Sequence, residues 1–215
     1  TTLAFSEKGS RSQFWAPVSQ MQATASGYRT SAEKSWVTSA ANAKSYVSSA
    51  QKPGAASPME STVYLVRRDA AGVARSGGFN GLGLRGNDSA PVTLTDVAVA
   101  EGDLISALGD GATTMLTVVL PWFSVGTAAM SNGLARAAVN ITTTHMGGTS
   151  FTHTGTALRD LPNLRARLAE MFSRTEQSRA LLGHTFDHIE SASPAAPLYV
   201  LNARLAALQA ASDVS

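Results

Sequence analysis

Trp36 and Thr38 place a flat aromatic ring and a hydroxyl group two positions apart in the sequence. They lie in the segment 34–38 (KSWVT), which we interpret as a strand, so that both point to one face, and Ser35 and Val37 to the other. A ring and a hydroxyl roughly 7 Å apart suit a planar cofactor with polar edges. The alternative is an ordinary cross-strand pair in a half-buried sheet, which these five residues alone favour.

A second candidate is the loop at residues 6–12 (SEKGSRS), which is dense in small hydroxyl side chains and contains Gly9. Backbone N–H groups and hydroxyls of such a loop can surround a phosphate group. A plain turn is the alternative, and the segment taken by itself favours it.

The segment 81–86 (GLGLRG) matches the GxGxxG pattern of dinucleotide-binding sites. That motif must follow a strand and open a helix, whose N-terminus holds the pyrophosphate. Here residues 87–91 (NDSAP) follow and lead into a predicted strand. We therefore interpret the segment as a loop between strands.

His184 and His188 are four residues apart on a predicted helix, a spacing that can bind a metal. No Glu stands beside the first His and no third ligand is evident, so a solvent- or interface-facing pair is the favoured interpretation. His145 and His153 have no identifiable partner. No Ser-His-Asp order or GxSxG elbow is present, so a hydrolase triad is unsupported. We predict no metal site.

These residues need elements to position them, and the sequence supplies two kinds. Short runs rich in β-branched and aromatic residues, separated by turn signals, occupy residues 2–5, 28–38, 45–48, 61–67 and 91–99. This spacing predicts a small β-barrel or sandwich. In the last run the alternation slips at Thr95 and Asp96, which predicts a bulge or bend.

After Gly109 the apolar period changes to three and four residues, typical of amphipathic helices. Pro121 should start or kink the first helix, and residues 145–155 should break it. A second helix should begin at 160–162, and a third should carry Leu201, Leu205 and Leu208. We predict an α+β protein with a β domain at 1–103 and an antiparallel helical bundle domain at 104–215.

Composition excludes several classes of protein. With 44% hydrophobic and 15% charged residues among 215, the chain should fold around a core. A net charge of +2 without a basic cluster among aromatics argues against nucleic acid. The sequence contains no run of about 18 apolar residues, so we predict no membrane span. The lack of cysteine and of a signal pattern fits a cytoplasmic location. The start at Thr1 rather than Met is expected of a processed, trimmed or partial chain.

Taken together, the segments resemble the middle and C-terminal domains of the acyl-CoA dehydrogenase family of flavoproteins. The matching segments are LAFSEKGSRS (3–12), EKSWVTS (33–39), GLGLRGNDS (81–89), TDVAV (95–99), GLARAA (133–138) and LAEM (168–171). These segments follow the order and spacing of the family's motifs over almost the whole chain.

The resemblance implies that FAD binds to this protein. By position, Ser6 and Thr38 would hydrogen-bond the isoalloxazine edge and Trp36 would pack against the ring system. Ser12 would reach the pyrophosphate, and Phe5 completes the implied cofactor-binding set. In the family, the flavin takes a hydride from the β-carbon of an acyl thioester while a Glu removes the α-proton.

Departures from the family leave the catalytic residue unknown. The family's N-terminal helical domain and its C-terminal tail, where most members carry the catalytic Glu, are expected to be absent. Some members place this Glu on the first C-terminal helix, but the matching position near Pro121 and Trp122 holds no carboxylate. An Asp and an Arg that grip CoA correspond to Pro121 and Ser124, and an Arg that reaches a neighbouring FAD falls near Thr149.

Three hypotheses follow for function. The first is an acyl-CoA dehydrogenase-like oxidoreductase of fatty-acid metabolism, assembled as a homo-oligomer (dimer or tetramer) and acting on acyl-CoA or a related small molecule. The second is a flavin-dependent oxygenase-type relative acting on a non-CoA substrate. The third is a non-catalytic scaffold subunit or fragment of the same fold.

Overall fold

The computed structural model describes residues 1–83 and 85–215, in two units, Thr1–Thr117 and Val118–Ser215. Strands make up the first unit and three long helices the second, which confirms the predicted α+β class. We predicted domains of 1–103 and 104–215. These domain bounds stay a prediction. A short helix, α1 (Gly111–Thr114), packs against a strand of the first unit.

One sheet has three strands, β1 (Thr2–Ala4), β4 (Ser45–Gln51) and β5 (Ser61–Arg67), in the order β1-β4-β5. Strands β1 and β4 are parallel, whereas β4 and β5 are antiparallel. All three were expected from the runs of β-branched and aromatic residues.

The other sheet has four antiparallel strands in the order β2-β3-β7-β6. These are β2 (Gln22–Thr24), β3 (Gly27–Val37), β7 (Ala90–Val99) and β6 (Val73–Arg75). Strands β3 and β7 were predicted. The two edge strands, β2 and β6, were not, because three residues are too few to show an alternating pattern.

Side chains from both sheets meet in one core, as in a sandwich. The three-stranded sheet contributes Ala4, Tyr46, Ala50, Tyr64 and Val66, and the four-stranded sheet contributes Ala32, Val37, Val92, Leu94, Val97 and Val99. The hydroxyl of Tyr64 is fully buried, and burial raises the pKa of this side chain to about 12.

The predicted irregularity in β7 is a β-bulge. Pairing passes from Thr30 opposite Val97 to Ala32 opposite Leu94, so two residues of β7 lie opposite Ser31. The backbone N–H of Asp96 donates to the Ser31 hydroxyl (2.9 Å), and Asp96 has a φ of 50°. Asp tolerates this left-handed conformation better than most residues.

The first helical stretch begins before Pro121. Helix α1 is followed by a π-helical turn, Met115–Val119, and then by α2 (Leu120–Gly148). Pro121 has no N–H to donate to the turn that precedes it, and that turn is the π-helical one. The predicted break at 145–155 begins later than expected, since α2 continues to Gly148. Helix α3 (Pro162–Glu190) begins as predicted, and α4 (Ala196–Val214) is the third.

The three helices form a bundle. Val125 and Ala128 of α2 pack with Leu182 of α3 and with Val200, Ala203 and Ala207 of α4. Nearer the other end of α2, Ala135 and Val139 pack with Leu168, Met171 and Val214. Helix α3 is therefore antiparallel to both α2 and α4.

The helical stretch Gly111–Gly148 could cross a membrane by length and composition alone, with a window of mean hydropathy 1.3. One such helix is weak evidence, because a core helix of a bundle passes the same test. In this chain 22% of the window is buried. The expected lack of a membrane span stays a prediction.

Candidate functional site

Trp36 lies at a β-bulge near the end of β3. Pairing with β7 passes from Lys34 opposite Val92 to Val37 opposite Ala90, so that Ser35 and Trp36 lie opposite Pro91 alone. Proline has no N–H to offer a ladder and occurs in sheets at bulges or edges. The bulge places the indole outward with 60% of its surface exposed.

The strict alternation predicted for residues 34–38 does not hold. Lys34 and Val37 are both buried, although three positions apart, because the bulge adds a residue between them. From Trp36 onward the prediction is correct. Trp36 and Thr38 are exposed on either side of buried Val37, and Thr38 is the first residue of the turn that follows β3.

Phe79 covers part of the Trp36 indole. Their ring centroids are 4.3 Å apart with an interplanar angle of 25°, a stacked arrangement. The two rings, together with Ser76 and Pro91, line a cavity of about 370 Å³. A large exposed part of the indole borders this open space, which fits a flat ring system.

The loop between β6 and β7 holds the turn that carries Thr38. The N–H groups of Ser39 and Ala40 donate to the carbonyl oxygens of Asn87 and Asp88 (3.1 and 3.0 Å). The N–H of Ala41 donates to the Asp88 carboxylate (2.7 Å). Since this loop joins two strands, the interpretation of residues 81–86 as an inter-strand loop is confirmed. Leu84 of that segment lies outside the described residues.

Ser6 lies beside the bulge. Its carbonyl oxygen accepts the Ser35 N–H (2.8 Å), and the Lys8 N–H donates to the carbonyl oxygen of Glu33 (3.0 Å). The segment that follows β1 is therefore paired with β3 next to Trp36. Ser6 is half-buried. Ser6, Trp36 and Thr38 are brought to one edge of the β unit.

The other two predicted site residues lie on either side of this edge segment. Ser12 is exposed on the turns that follow Lys8, and among the described residues no hydrogen bond joins its side chain to β3. Phe5 is 6% exposed and its ring is stacked on Phe14, with centroids 6.2 Å apart. The Phe5 side chain therefore supports the loop from within.

A buried ion pair, Glu7 with Lys34, was missed by the sequence reasoning. The Lys34 Nζ lies 2.6 Å from the Glu7 Oε1, and the exposed fractions of the two side chains are 0% and 3%. Burial raises the pKa of Glu7, but the charge and N–H of Lys34 and hydrogen bonds from Ser19 outweigh it and lower that pKa. Burial lowers the pKa of Lys34, and Glu7 offsets this only in part. By strict alternation Lys34 shares a face with Trp36 and Thr38, so no pattern in the sequence indicated its burial.

The rings of His184 and His188 lie 4.8 Å apart, and the His188 ring is stacked on Tyr199 of α4 (3.8 Å). The Nδ1 of His184 lies 3.5 Å from an Asp187 carboxylate oxygen. In the part of the chain that the structure describes, no group of three or more His, Cys, Asp or Glu residues could hold a metal ion. The pair packs against an aromatic ring at the junction of two helices.

Residues 125–214 match the family model of the acyl-CoA dehydrogenase C-terminal domain. No curated protein matches the chain. Solved structures match 99% of it, and three of them are a probable acyl-CoA dehydrogenase from Mycobacterium abscessus (TM-score 0.92, 18% identity), PigA with FAD and proline (0.91, 16%) and a glutaryl-coenzyme A dehydrogenase–glutaryl-CoA complex (0.87, 21%). The chain spans 55%, 55% and 53% of their lengths, respectively.

These comparisons confirm the resemblance that the motifs predicted. The C-terminal segment matches the acyl-CoA dehydrogenase family in sequence, and the chain as a whole has the fold of the structures above. At these identities the structural likeness concerns the fold alone.

Proposed function

We propose that this chain holds FAD in an acyl-CoA dehydrogenase-like oxidoreductase that catalyses α,β-dehydrogenation of an acyl thioester. The observation that carries the proposal is the exposed indole of Trp36, which borders an open cavity. Ser6 lies on the segment paired with β3 beside Trp36, and Thr38 is on the turn that follows β3. The family match of residues 125–214 and the FAD bound to PigA, which has the same fold, support it.

Each residue at the edge has a part in binding. The exposed indole surface of Trp36 would pack against the isoalloxazine ring, while Phe79, which is stacked on the indole, limits its movement. The hydroxyls of Thr38 and Ser6 would donate hydrogen bonds to polar atoms at the ring edge. Ser12, on the exposed loop, would bind the pyrophosphate. Phe5 packs beneath this loop and keeps it in place.

When bound, FAD supplies the acceptor for a hydride from the β-carbon of the substrate. The protein must then provide a base for the α-proton, and the site described here contributes no residue to that role. Pro121 and Trp122, at the matching family position, have no carboxylate. The catalytic residue therefore stays unassigned.

A spectrum of the purified chain, with a mass measurement of any ligand released by heat, tests the proposal. Flavin absorbance and a released mass equal to FAD, present at purification or after FAD is added and excess removed, are the expected results. Purified, folded protein that shows no flavin absorbance and gains none with added FAD would argue against it.

A second candidate is a flavin-dependent oxygenase-type reaction on a non-CoA substrate. It is favoured by Pro121 and Ser124, which occupy the positions matched to the family's CoA-gripping Asp and Arg; Ser124 is also fully buried. PigA, described with FAD and proline, shows that a protein of this fold can bind a small non-CoA molecule. Product analysis with reduced flavin and oxygen separates the two candidates, and tight acyl-CoA binding would exclude the second.

The helical unit also supports a proposal about assembly. Large apolar side chains are exposed along its helices, among them Met130, Leu134, Ile141, Phe172, Leu201 and Leu205. Contiguous exposed apolar surface is typical of protein–protein interfaces. We therefore propose a homo-oligomer, tested by light scattering. A non-catalytic scaffold role would leave such association without bound flavin. The role in fatty-acid metabolism and the cytoplasmic location stay predictions.

A further inference from the structure

We infer that the buried ion pair of Glu7 and Lys34 is a positioning device, which fixes the Ser6–Ser12 loop against the bulge that carries Trp36. The inference rests in part on the proposed function, because it assigns the purpose of this positioning to the cofactor edge. Neither residue is a proposed contact of FAD. Both act through the residues beside them, Ser6 on one segment and Ser35–Trp36 on the other.

Lys34 joins three segments of the β unit. Its Nζ donates to the Glu7 Oε1 (2.6 Å) on the loop and to the carbonyl oxygen of Ser49 (2.6 Å) on β4, while Lys34 itself is part of β3. The lysine thus connects the two sheets and the loop through one ammonium group. It is also the last regularly paired residue of β3 before the bulge, so anchoring it sets where the bulge begins.

Glu7 closes the loop on itself. One carboxylate oxygen accepts the N–H groups of Val18 and Ser19 (2.7 and 2.8 Å), and the other accepts the Ser19 hydroxyl (2.5 Å) in addition to Lys34. The Glu7 N–H donates to the Ser10 hydroxyl (3.1 Å). The residues between Glu7 and Ser19, which include Ser12, therefore form a closed loop whose base is one carboxylate.

The energetics indicate that the pair positions the loop and does not mainly stabilise the fold. Removing two charges from water costs several kcal/mol per ion, and a well-packed apolar pair of similar volume is often as stable or more so. Breaking only one partner, by contrast, leaves an uncompensated buried charge. A pair whose side chains make five directed hydrogen bonds at the base of a loop fixes the geometry of that loop, as an apolar contact would not.

Amide hydrogen exchange of the variant Glu7→Gln/Lys34→Met tests the inference. Both charges are removed together, so no charge is left buried and unpaired. We expect the Lys8 and Ser35 amides, which link the loop to β3, to exchange at least about tenfold faster, while the amides of β4 and β5 stay protected. The matched control is Lys52→Met/Glu60→Gln, which removes a half-exposed pair of the same residue types in the same unit. It should leave the Lys8 and Ser35 amides unchanged.

A second variant covers the case in which the double variant does not fold. Ser19→Ala removes only the hydroxyl that donates to Glu7, and we expect faster exchange at the Val18 and Ser19 amides with the fold intact. Unchanged exchange at the loop amides in a folded variant would overturn the inference.

Cofactor titration separates this inference from the proposed function. If the wild type binds FAD, the double variant should bind it at least about tenfold more weakly. The control variant Lys52→Met/Glu60→Gln should bind FAD with the same affinity as the wild type. Faster loop exchange with unchanged FAD affinity would overturn the link to the cofactor edge. A wild type that binds no FAD would refute the proposed function, and the exchange data would still decide whether the pair holds the loop.

Discussion

The Trp36 indole is stacked on the Phe79 ring, with centroids 4.3 Å apart, although the two residues belong to different parts of the β unit. One is at the bulge of β3, and the other is in the loop between β6 and β7. The stack therefore connects the loop between β6 and β7 directly to the proposed cofactor edge.

A double-mutant cycle should detect this stack. Trp36→Leu and Phe79→Leu each remove one ring, and the free energies of unfolding of the two variants and of the double variant should show a coupling of about 0.5–1.5 kcal/mol, as measured for other aromatic pairs. Urea unfolding supplies these free energies. A parallel cycle with Phe14→Leu, whose ring contacts Phe5 and Trp15, should give no coupling to Trp36. Equal couplings in the two cycles would contradict the stack.

The stability of the β unit should decrease in acid through Glu7. The pKa of Glu7 is lowered in the folded state, since its interactions with Lys34 and Ser19 outweigh the effect of burial. The unfolded chain then binds more protons below the ordinary value of 4.5, so the contribution of Glu7 is complete above that pH and is lost as the pH falls through the folded pKa. Urea unfolding at several pH values should show a shallower loss in Glu7→Gln/Lys34→Met.

Lys34 gives the same pair an effect at alkaline pH. Because burial lowers the pKa of Lys34 in the folded state, the native protein releases this proton first, and the free energy of unfolding should rise with pH below the ordinary value of 10.5. The variant Lys52→Met/Glu60→Gln should keep the alkaline slope. If the double variant at positions 7 and 34 has the same acid and alkaline slopes as the wild type, the assignment to this pair is wrong.

Asp88 should hold the loop between β6 and β7 against the turn that follows β3. Its carboxylate accepts hydrogen bonds from the Ala41 N–H and from the side chains of Asn42 and Arg75. The residue itself has a φ of 50°. Asp88→Ala removes these acceptors and adds strain at a left-handed residue. We expect faster proteolytic cleavage within residues 76–89, identified by the masses of the fragments. Asp88→Asn keeps a carbonyl acceptor and tolerates the same φ, so it should remain near wild type. Equal cleavage of both variants would count against this role.

A buried hydrogen bond should contribute to the helical unit. The Ser178 hydroxyl donates to the Asn132 Oδ1 (2.6 Å), and both residues are buried. Ser178→Ala leaves a buried amide oxygen unpaired and should lower the free energy of unfolding by about 1–3 kcal/mol. Asn132→Leu/Ser178→Ala, which removes both polar groups, should cost less. Ser173→Ala, on the exposed side of the same helix, should be near neutral. Denaturant unfolding followed by circular dichroism distinguishes these outcomes.

The sequence predicted those elements that depend on local pattern. Helical periodicity placed α3 and α4, and the slip at Thr95 and Asp96 placed the bulge of β7, because both signals lie within one continuous segment. The bulge at Ser35 and Trp36 could not be placed in the same way. Its cause is Pro91 on the partner strand, and the register of β3 with β7 was not available from either strand alone.

The candidate site was predicted in part for the same reason. Trp36, Thr38 and Ser6 were identified through their segments, and the structure brings them to one edge. Phe79 and Glu7 were not identified, since their roles depend on contacts between segments distant in the chain. Strict alternation puts Lys34 on the same face as Trp36 and Thr38, so its burial was not predicted, and only its partner explains how such a charge can be buried.

Titration of FAD into the wild type and into Trp36→Leu, followed by flavin fluorescence, is the sharpest test of whether the Trp36 indole binds the cofactor. Phe186→Leu is the control, since its ring is also exposed (37%) but lies on α3 of the helical unit. We expect saturable binding by the wild type and the control, with affinity at least about tenfold weaker in Trp36→Leu, because stacking of a base on an aromatic side chain contributes about 1–3 kcal/mol. Equal FAD affinity in Trp36→Leu and the wild type would contradict it.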